Sequence, residues 1–121
     1  MNLQAILNMG EVSKHTLALD NTLTAEYKPP RPRIVCMDGT TLSVQASAFT
    51  YCTPRDNVGP YTAVEVGYPS RKFEQLMPWA EDPSDPTGTI YGFVPVEVVN
   101  EVIASCGGIC VELTMMQEGV R

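Results

Sequence analysis

The apolar positions of this chain follow two periods. Leu3, Ile6 and Leu7 recur at helical spacing with Gly10 placed to end a short helix, and Val98, Val99, Val102 and Ile103 recur in the same way behind Pro95, a first-turn residue. Gly107-Gly108 can end that second helix in the left-handed conformation. Between the two helices the period is two. Residues 41–47 place Leu42, Val44 and Ala46 on one face and Ser43, Gln45 and Ser47 on the other, and residues 34–37 precede them across Asp38-Gly39, a favoured pair for a tight hairpin turn. Residues 62–68 turn Val64 and Val66 inward and Glu65 outward, residues 89–94 read as a fourth strand, and residues 109–115 alternate cleanly enough to predict a last strand. A short helix is expected over residues 71–77, ahead of an acidic, proline-broken loop at residues 81–86 with Trp79 beside it.

These elements predict an α+β fold, a small, mostly antiparallel sheet packed against one main C-terminal helix. Three parts are expected: an N-terminal arm with a short helix (residues 1–27), a stiff linker, Lys28-Pro29-Pro30-Arg31-Pro32-Arg33, and a compact core over residues 34–121. At 121 residues and 44% hydrophobic, the chain is long enough for one core. No run of about 18 apolar residues occurs, and Met1-Asn2-Leu3-Gln4-Ala5 lacks the basic and apolar regions of a signal peptide. The expectation is a cytoplasmic protein, with no membrane partner, whose four cysteines (Cys36, Cys52, Cys106, Cys110) stay reduced. Leu3, Ile6, Leu7, Leu17, Leu19 and Leu23 give the arm more apolar residues than a small sheet needs, and self-association as a homo-oligomer is expected from them.

Charge is uneven. Residues 1–73 carry seven basic and six acidic side chains, residues 74–121 one basic and eight acidic. The pI near 4.6 argues against direct nucleic-acid binding. The acidic half can imitate a phosphate backbone towards a basic protein groove, although an ordinary solubilising surface accounts for the same charge.

Candidate chemistry collects in residues 51–61. Pro54 and Pro60 fix φ, Gly59 can take a positive φ, and Asp56 and Asn57 can bond their own backbone, so the loop can hold Arg55 in a set position. No loop matches the phosphate-cradling motifs, yet a guanidinium can fork onto phosphate. Arg55 and Arg71, the hydrogen-bonding side chains of Ser43, Gln45, Ser47, Thr53 and Asn57, and the rings of Tyr51, Tyr61, Tyr68 and Tyr91 together suit a small anionic, nucleotide-like ligand. Tyrosines that cap the core edge and arginines in solvent are the plain alternative. Cys52 and the sole histidine, His15, could make a nucleophile pair, but no orienting third group or oxyanion hole stands near them. The Cys106–Cys110 spacing lacks the partners a structural zinc site needs, so neither metal nor cofactor is expected, and no enzyme.

Six segments bear a resemblance: Met37-Asp38-Gly39, Ser43-Val44-Gln45-Ala46-Ser47, Tyr51-Cys52-Thr53-Pro54-Arg55, Gly59-Pro60-Tyr61, Val64-Glu65-Val66-Gly67-Tyr68-Pro69-Ser70 and Thr89-Ile90-Tyr91-Gly92-Phe93-Val94-Pro95. Together they resemble a group of short accessory proteins of tailed phages and prophages, over about residues 34–108. The resemblance implies a small accessory protein acting in the cytoplasm of an infected bacterium; it brings no activity or catalytic residues. Anti-defence work is the expected setting, either as a sponge that sequesters a nucleotide-derived signal or as an acidic, anti-CRISPR-like inhibitor of a host defence protein. A small Cys52 hydrolase and a virion assembly protein are the remaining readings.

Overall fold

The computed structural model describes residues 2–7 and 31–117, and the backbone of residues 13–16 and 24–27. Helix α1 (Leu3–Leu7) is followed by β1 (Ser13–Thr16) and β2 (Thr24–Tyr27), which pair antiparallel with Ser13 opposite Tyr27. This ribbon has no counterpart in the hydrophobic pattern, because four-residue strands without alternating apolar side chains leave no period to read. Gly10, Leu17, Leu19, Leu23 and Lys28–Pro30 lie outside the described residues.

The main sheet is antiparallel, in the order β3 (Ile34–Val35), β4 (Thr41–Gln45), β5 (Ala63–Gly67) and β6 (Ile90–Pro95). Its α+β architecture is the one the pattern predicts. Leu42, Val44, Val64 and Val66 are buried on one face, and β6 passes directly into α2 (Val96–Ser105), whose Val99, Val102 and Ile103 close the same core. At the hairpin turn Gly39 has φ 91°, and the Thr40 N–H donates to Asp38 Oδ1 at 2.8 Å. The end of α2 also follows expectation: Gly107 and Gly108 have φ of 88° and 89°, and the Gly108 N–H donates to the Ile103 carbonyl at 2.9 Å.

Two expected elements differ. Residues 71–77 do not form an α-helix; a 3₁₀ helix runs over Glu74–Trp79 with Pro78 inside it, since proline has no N–H for an α-helical ladder. The last strand is a helix, α3 (Val111–Met115). One bridge, Cys36 to Ile109, is as far as pairing goes along β3. Beyond it the Cys110 N–H donates to the Val35 carbonyl at 2.7 Å, and Thr114 Oγ1 accepts from the Val35 N–H at 3.0 Å. One buried side chain thus does the work of a strand ladder. The alternation of Val111, Leu113 and Met115 leaves all three exposed.

Packing runs through the expected arm and linker. Leu3, Ile6 and Leu7 of α1 are buried in the same core as the sheet. Gln45 fixes the end of the linker: its Oε1 accepts from the Arg31 N–H at 2.7 Å and its Nε2 donates to the Arg31 carbonyl at 3.1 Å. Among the described residues no helix is long and apolar enough to cross a membrane.

Candidate functional site

The loop between β4 and β5 is held from several sides. Gln4 of α1 clamps Tyr61, donating to its carbonyl at 2.8 Å and accepting from its N–H at 3.2 Å. Asp56 Oδ1 accepts from the Val58 N–H at 3.0 Å, and Asn57 Oδ1 from the Ala48 N–H at 2.9 Å. The Tyr61 hydroxyl donates to the Asp56 carbonyl at 3.0 Å. The Thr53–Pro54 and Gly59–Pro60 peptide bonds are both cis. Tyr51 and Arg55 are among the side chains this frame leaves exposed.

On the other side of Tyr51, β6 makes a local departure that the period-two reading does not contain. Val64 faces Val94 and Val66 faces Tyr91, so three steps of β6 match two of β5 and one residue is extra. This is a β-bulge. Phe93 occupies its left-handed position with φ 56°, and its ring is 48% exposed, whereas Tyr91, two residues earlier, is buried. In a regular strand the two would share a face. The Phe93 N–H donates to the Tyr51 carbonyl at 3.0 Å, and the rings lie 5.8 Å apart, tilted by 43°. Gly92 makes the approach possible: a Cβ there would stand 3.3 Å from the Tyr51 Cβ.

Tyr51, Gly92 and Phe93 form one wall of an open cleft of about 430 Å³ whose other wall is Pro78, Trp79, Ala80 and Glu81, at the end of the 3₁₀ helix. The Ala80–Tyr91 bridge and the Glu81 N–H, donating to the Ile90 carbonyl at 3.0 Å, tie that wall to β6. Arg55 lies next to the Tyr51 wall, its guanidinium carbon 5.5 Å from the centre of the Tyr51 ring. The cleft is therefore lined by three aromatic residues and Glu81, with a cation over the Tyr51 ring.

The structure divides the expected binding residues. Tyr51 lines the cleft, and Arg55 lies over its ring. Tyr61 and Tyr91 belong to the core and are not open to a ligand: burial, followed by the nearby Cys52 and Asp56, pushes the Tyr61 hydroxyl up to about 12, and burial raises Tyr91, whose hydroxyl donates to the Pro86 carbonyl at 2.5 Å. Ser47 and Asn57 are buried and serve the loop's own backbone. Ser43 accepts from Gln45 Nε2 at 2.9 Å, and Gln45 is committed to Arg31. Thr53 is exposed, with its backbone paired to Thr62 and Ala63. Tyr68 is exposed, with its carbonyl on Arg33. Arg71 lies over Phe73, 4.2 Å from the ring centre, and reaches Thr40, Asp38 and Cys106. Trp79, Glu81, Gly92 and Phe93 were not among the expected site residues. An exposed aromatic in a strand pattern gives no sign of its exposure until the bulge is known.

Cys52 is buried, and its thiol donates to the Ser47 carbonyl at 3.1 Å. Among the described residues no group of three or more His, Cys, Asp or Glu side chains is arranged to hold a metal ion. No protein-family model matches the chain, and comparison with curated proteins and with solved structures gives no match.

Proposed function

We propose that the protein is a non-catalytic binding module that captures a small anionic ligand of the nucleotide class in the Tyr51–Trp79–Phe93 cleft. One observation carries this reading: three aromatic side chains line a single cleft, and Arg55 is held over one of them. A volume of about 430 Å³ lies in the range of small-molecule sites. Stacking on an aromatic ring is worth about 1–3 kcal/mol per base and tolerates any base. The Arg55 guanidinium suits a phosphate, and the Glu81 carboxylate accepts from an exocyclic amine or a ribose hydroxyl. Beside the resemblance to phage accessory proteins, such capture fits a sponge that removes a nucleotide-derived immune signal from an infected bacterial cytoplasm.

Trp79 is the chain's single tryptophan, so its fluorescence reports the cleft directly. Titration of the full chain with linear and cyclic mono- and dinucleotides should quench it saturably with at least one of them. A signal that stays flat to about 1 mM of every nucleotide, an affinity of only about −4 kcal/mol, overturns the proposal.

A second reading rests on the loop beside the cleft, where Glu81, Asp82 and Asp85 are exposed. The Asp82 N–H donates to Thr89 Oγ1 at 3.0 Å, and Tyr91 holds the Pro86 carbonyl, so the acidic side chains project from an anchored segment. Such a projection suits the basic nucleic-acid groove of a host defence protein. Salt-sensitive co-elution with such a complex, lost in Asp82→Asn/Asp85→Asn, would favour it.

A further inference from the structure

A second cluster of reactive groups lies at the hairpin turn, among contacts that Arg55 and the cleft do not share. The Met37 N–H donates to the Gly108 carbonyl at 2.9 Å and the Asp38 N–H to the Cys106 carbonyl at 3.1 Å, so the turn lies along the C-terminal end of α2. This brings together two cysteines seventy positions apart. Cys36 and Cys106 are both 1% exposed and lie on the two segments these bonds join, and Cys106 is among the neighbours that raise the Cys36 thiol. Arg71 Nη2 donates to the Cys106 sulfur at 3.4 Å and stands 3.9 Å from Asp38 Oδ2, and both of these charged side chains are about half exposed.

We propose that Cys36 and Cys106 are an oxidation site, a dithiol that a small peroxide converts reversibly to a disulfide. The two thiols are unequal. Burial, followed by the neighbouring Cys106 and Asp38, pushes the Cys36 thiol up to about 12, which keeps it protonated; the Cys106 sulfur accepts from Arg71 Nη2 and is the one assigned the first attack. The Cys106 sulfur attacks one peroxide oxygen, the O–O bond breaks, and a sulfenic acid forms with release of water. The Cys36 thiol then attacks the sulfenic sulfur, the S–O bond breaks, and the hydroxyl leaves with the Cys36 proton as a second water. Two thiols lose two electrons and two protons, and the peroxide takes them up. Arg71 and Asp38, both about half exposed, lie beside this pair, with Arg71 in contact with the Cys106 sulfur. The product would tie the β3–β4 turn to the end of α2.

The test treats the full chain, and separately a Cys52→Ser/Cys110→Ser variant that retains these two cysteines, with dilute hydrogen peroxide, then alkylates in denaturant and measures intact mass. Both proteins are expected to lose two hydrogens and to shield two sulfurs from alkylation, with dithiothreitol reversing the change. Fragment spectra of the full chain should join Cys36 to Cys106, and the melting temperature should rise on oxidation and fall back on reduction. Two sulfurs that remain open to alkylation in the variant, a link from either residue to Cys110 or Cys52 in the full chain, or overoxidation without a link overturns the proposal. Cys106→Ser is expected to abolish the link; if it fails to fold, the assignment in the full chain still decides.

Discussion

Arg55 is exposed on a loop whose shape is set by Gln4, Asp56, Asn57 and Tyr61, and its guanidinium lies over the Tyr51 ring. A guanidinium held in place loses less entropy on forking onto phosphate than one on a free surface. Arg55→Ala is expected to weaken nucleotide binding by about 1.5–3 kcal/mol, the scale of a charge-assisted hydrogen bond. Its stability should change by less than about 0.5 kcal/mol, as for most surface substitutions. Arg55→Lys should restore binding in part, because an ammonium makes no bidentate contact. Trp79 quenching and a thermal melt on the same preparation check all three. Phe93 gives a prediction of another kind. A non-glycine residue at φ 56° carries strain of about 1–3 kcal/mol, and asparagine tolerates that conformation better. Phe93→Asn should therefore keep or raise the melting temperature, against the usual loss when a strand aromatic is replaced by asparagine, while ligand affinity falls. A melting temperature and an affinity that fall together would mean that the ring serves packing.

At the scale of elements, α1 decides more than its five residues suggest. Ile6 and Leu7 are fully buried, and Gln4 is bonded to the backbone of the site loop, so the helix supports the core and the loop together. Ile6→Ala is expected to cost about 2–4 kcal/mol through lost burial and a residual cavity. The loss should be the same at every protein concentration, since the residues Ile6 packs against are in its own chain. A melting temperature that rises with concentration would place α1 at an interface between copies. The helical spacing of Leu3, Ile6 and Leu7 was legible in the sequence; their destination was not, because an apolar stripe fits any apolar surface within reach. The C-terminal segment shows the converse. Five alternating residues carry a strand period, but the partner edge, β3, is two residues long, and the buried Thr114 makes its bonds from a helix instead.

For the molecule as a whole, groups kept neutral by burial set the alkaline limit. The Cys36 thiol is raised from 9.0 to about 12 and the Tyr61 hydroxyl from 10.0 to about 12, in both cases chiefly by burial, and Tyr91 is raised in the same direction. A raised folded-state value means that the native state holds its proton where the unfolded chain has released it. The stability these groups contribute is therefore complete below about pH 9 and lost as pH rises towards about 12. Melting temperatures measured in reductant between pH 7 and 11 should fall steeply above pH 9. Tyr61→Phe should start lower, by about 1 kcal/mol for the lost hydrogen bond to the Asp56 carbonyl, and fall less steeply. Equal slopes in the two proteins would refute the assignment to Tyr61.

The sequence by itself determined the α+β class, the β3–β4 hairpin, the burial of Val64 and Val66, and α2 between Pro95 and its two glycines. Each of these is a local matter, a side-chain period or a backbone torsion that few residues adopt. It also determined that residues 51–61 form a shaped loop, since proline, glycine, aspartate and asparagine act on their own neighbours. Tertiary structure decided which side chains the loop serves. Tyr61 and Tyr91 went into the core because α1 and the bulged sheet close over them, and Phe93 came out because one extra residue in β6 reverses its face. Trp79 reached the same cleft through a bridge between Ala80 and Tyr91. Cys36 and Cys106, seventy residues apart, came onto adjoining segments through backbone bonds in the same way. A register shift or a long-range contact leaves no periodic trace along the chain, because it depends on how two segments sit against each other.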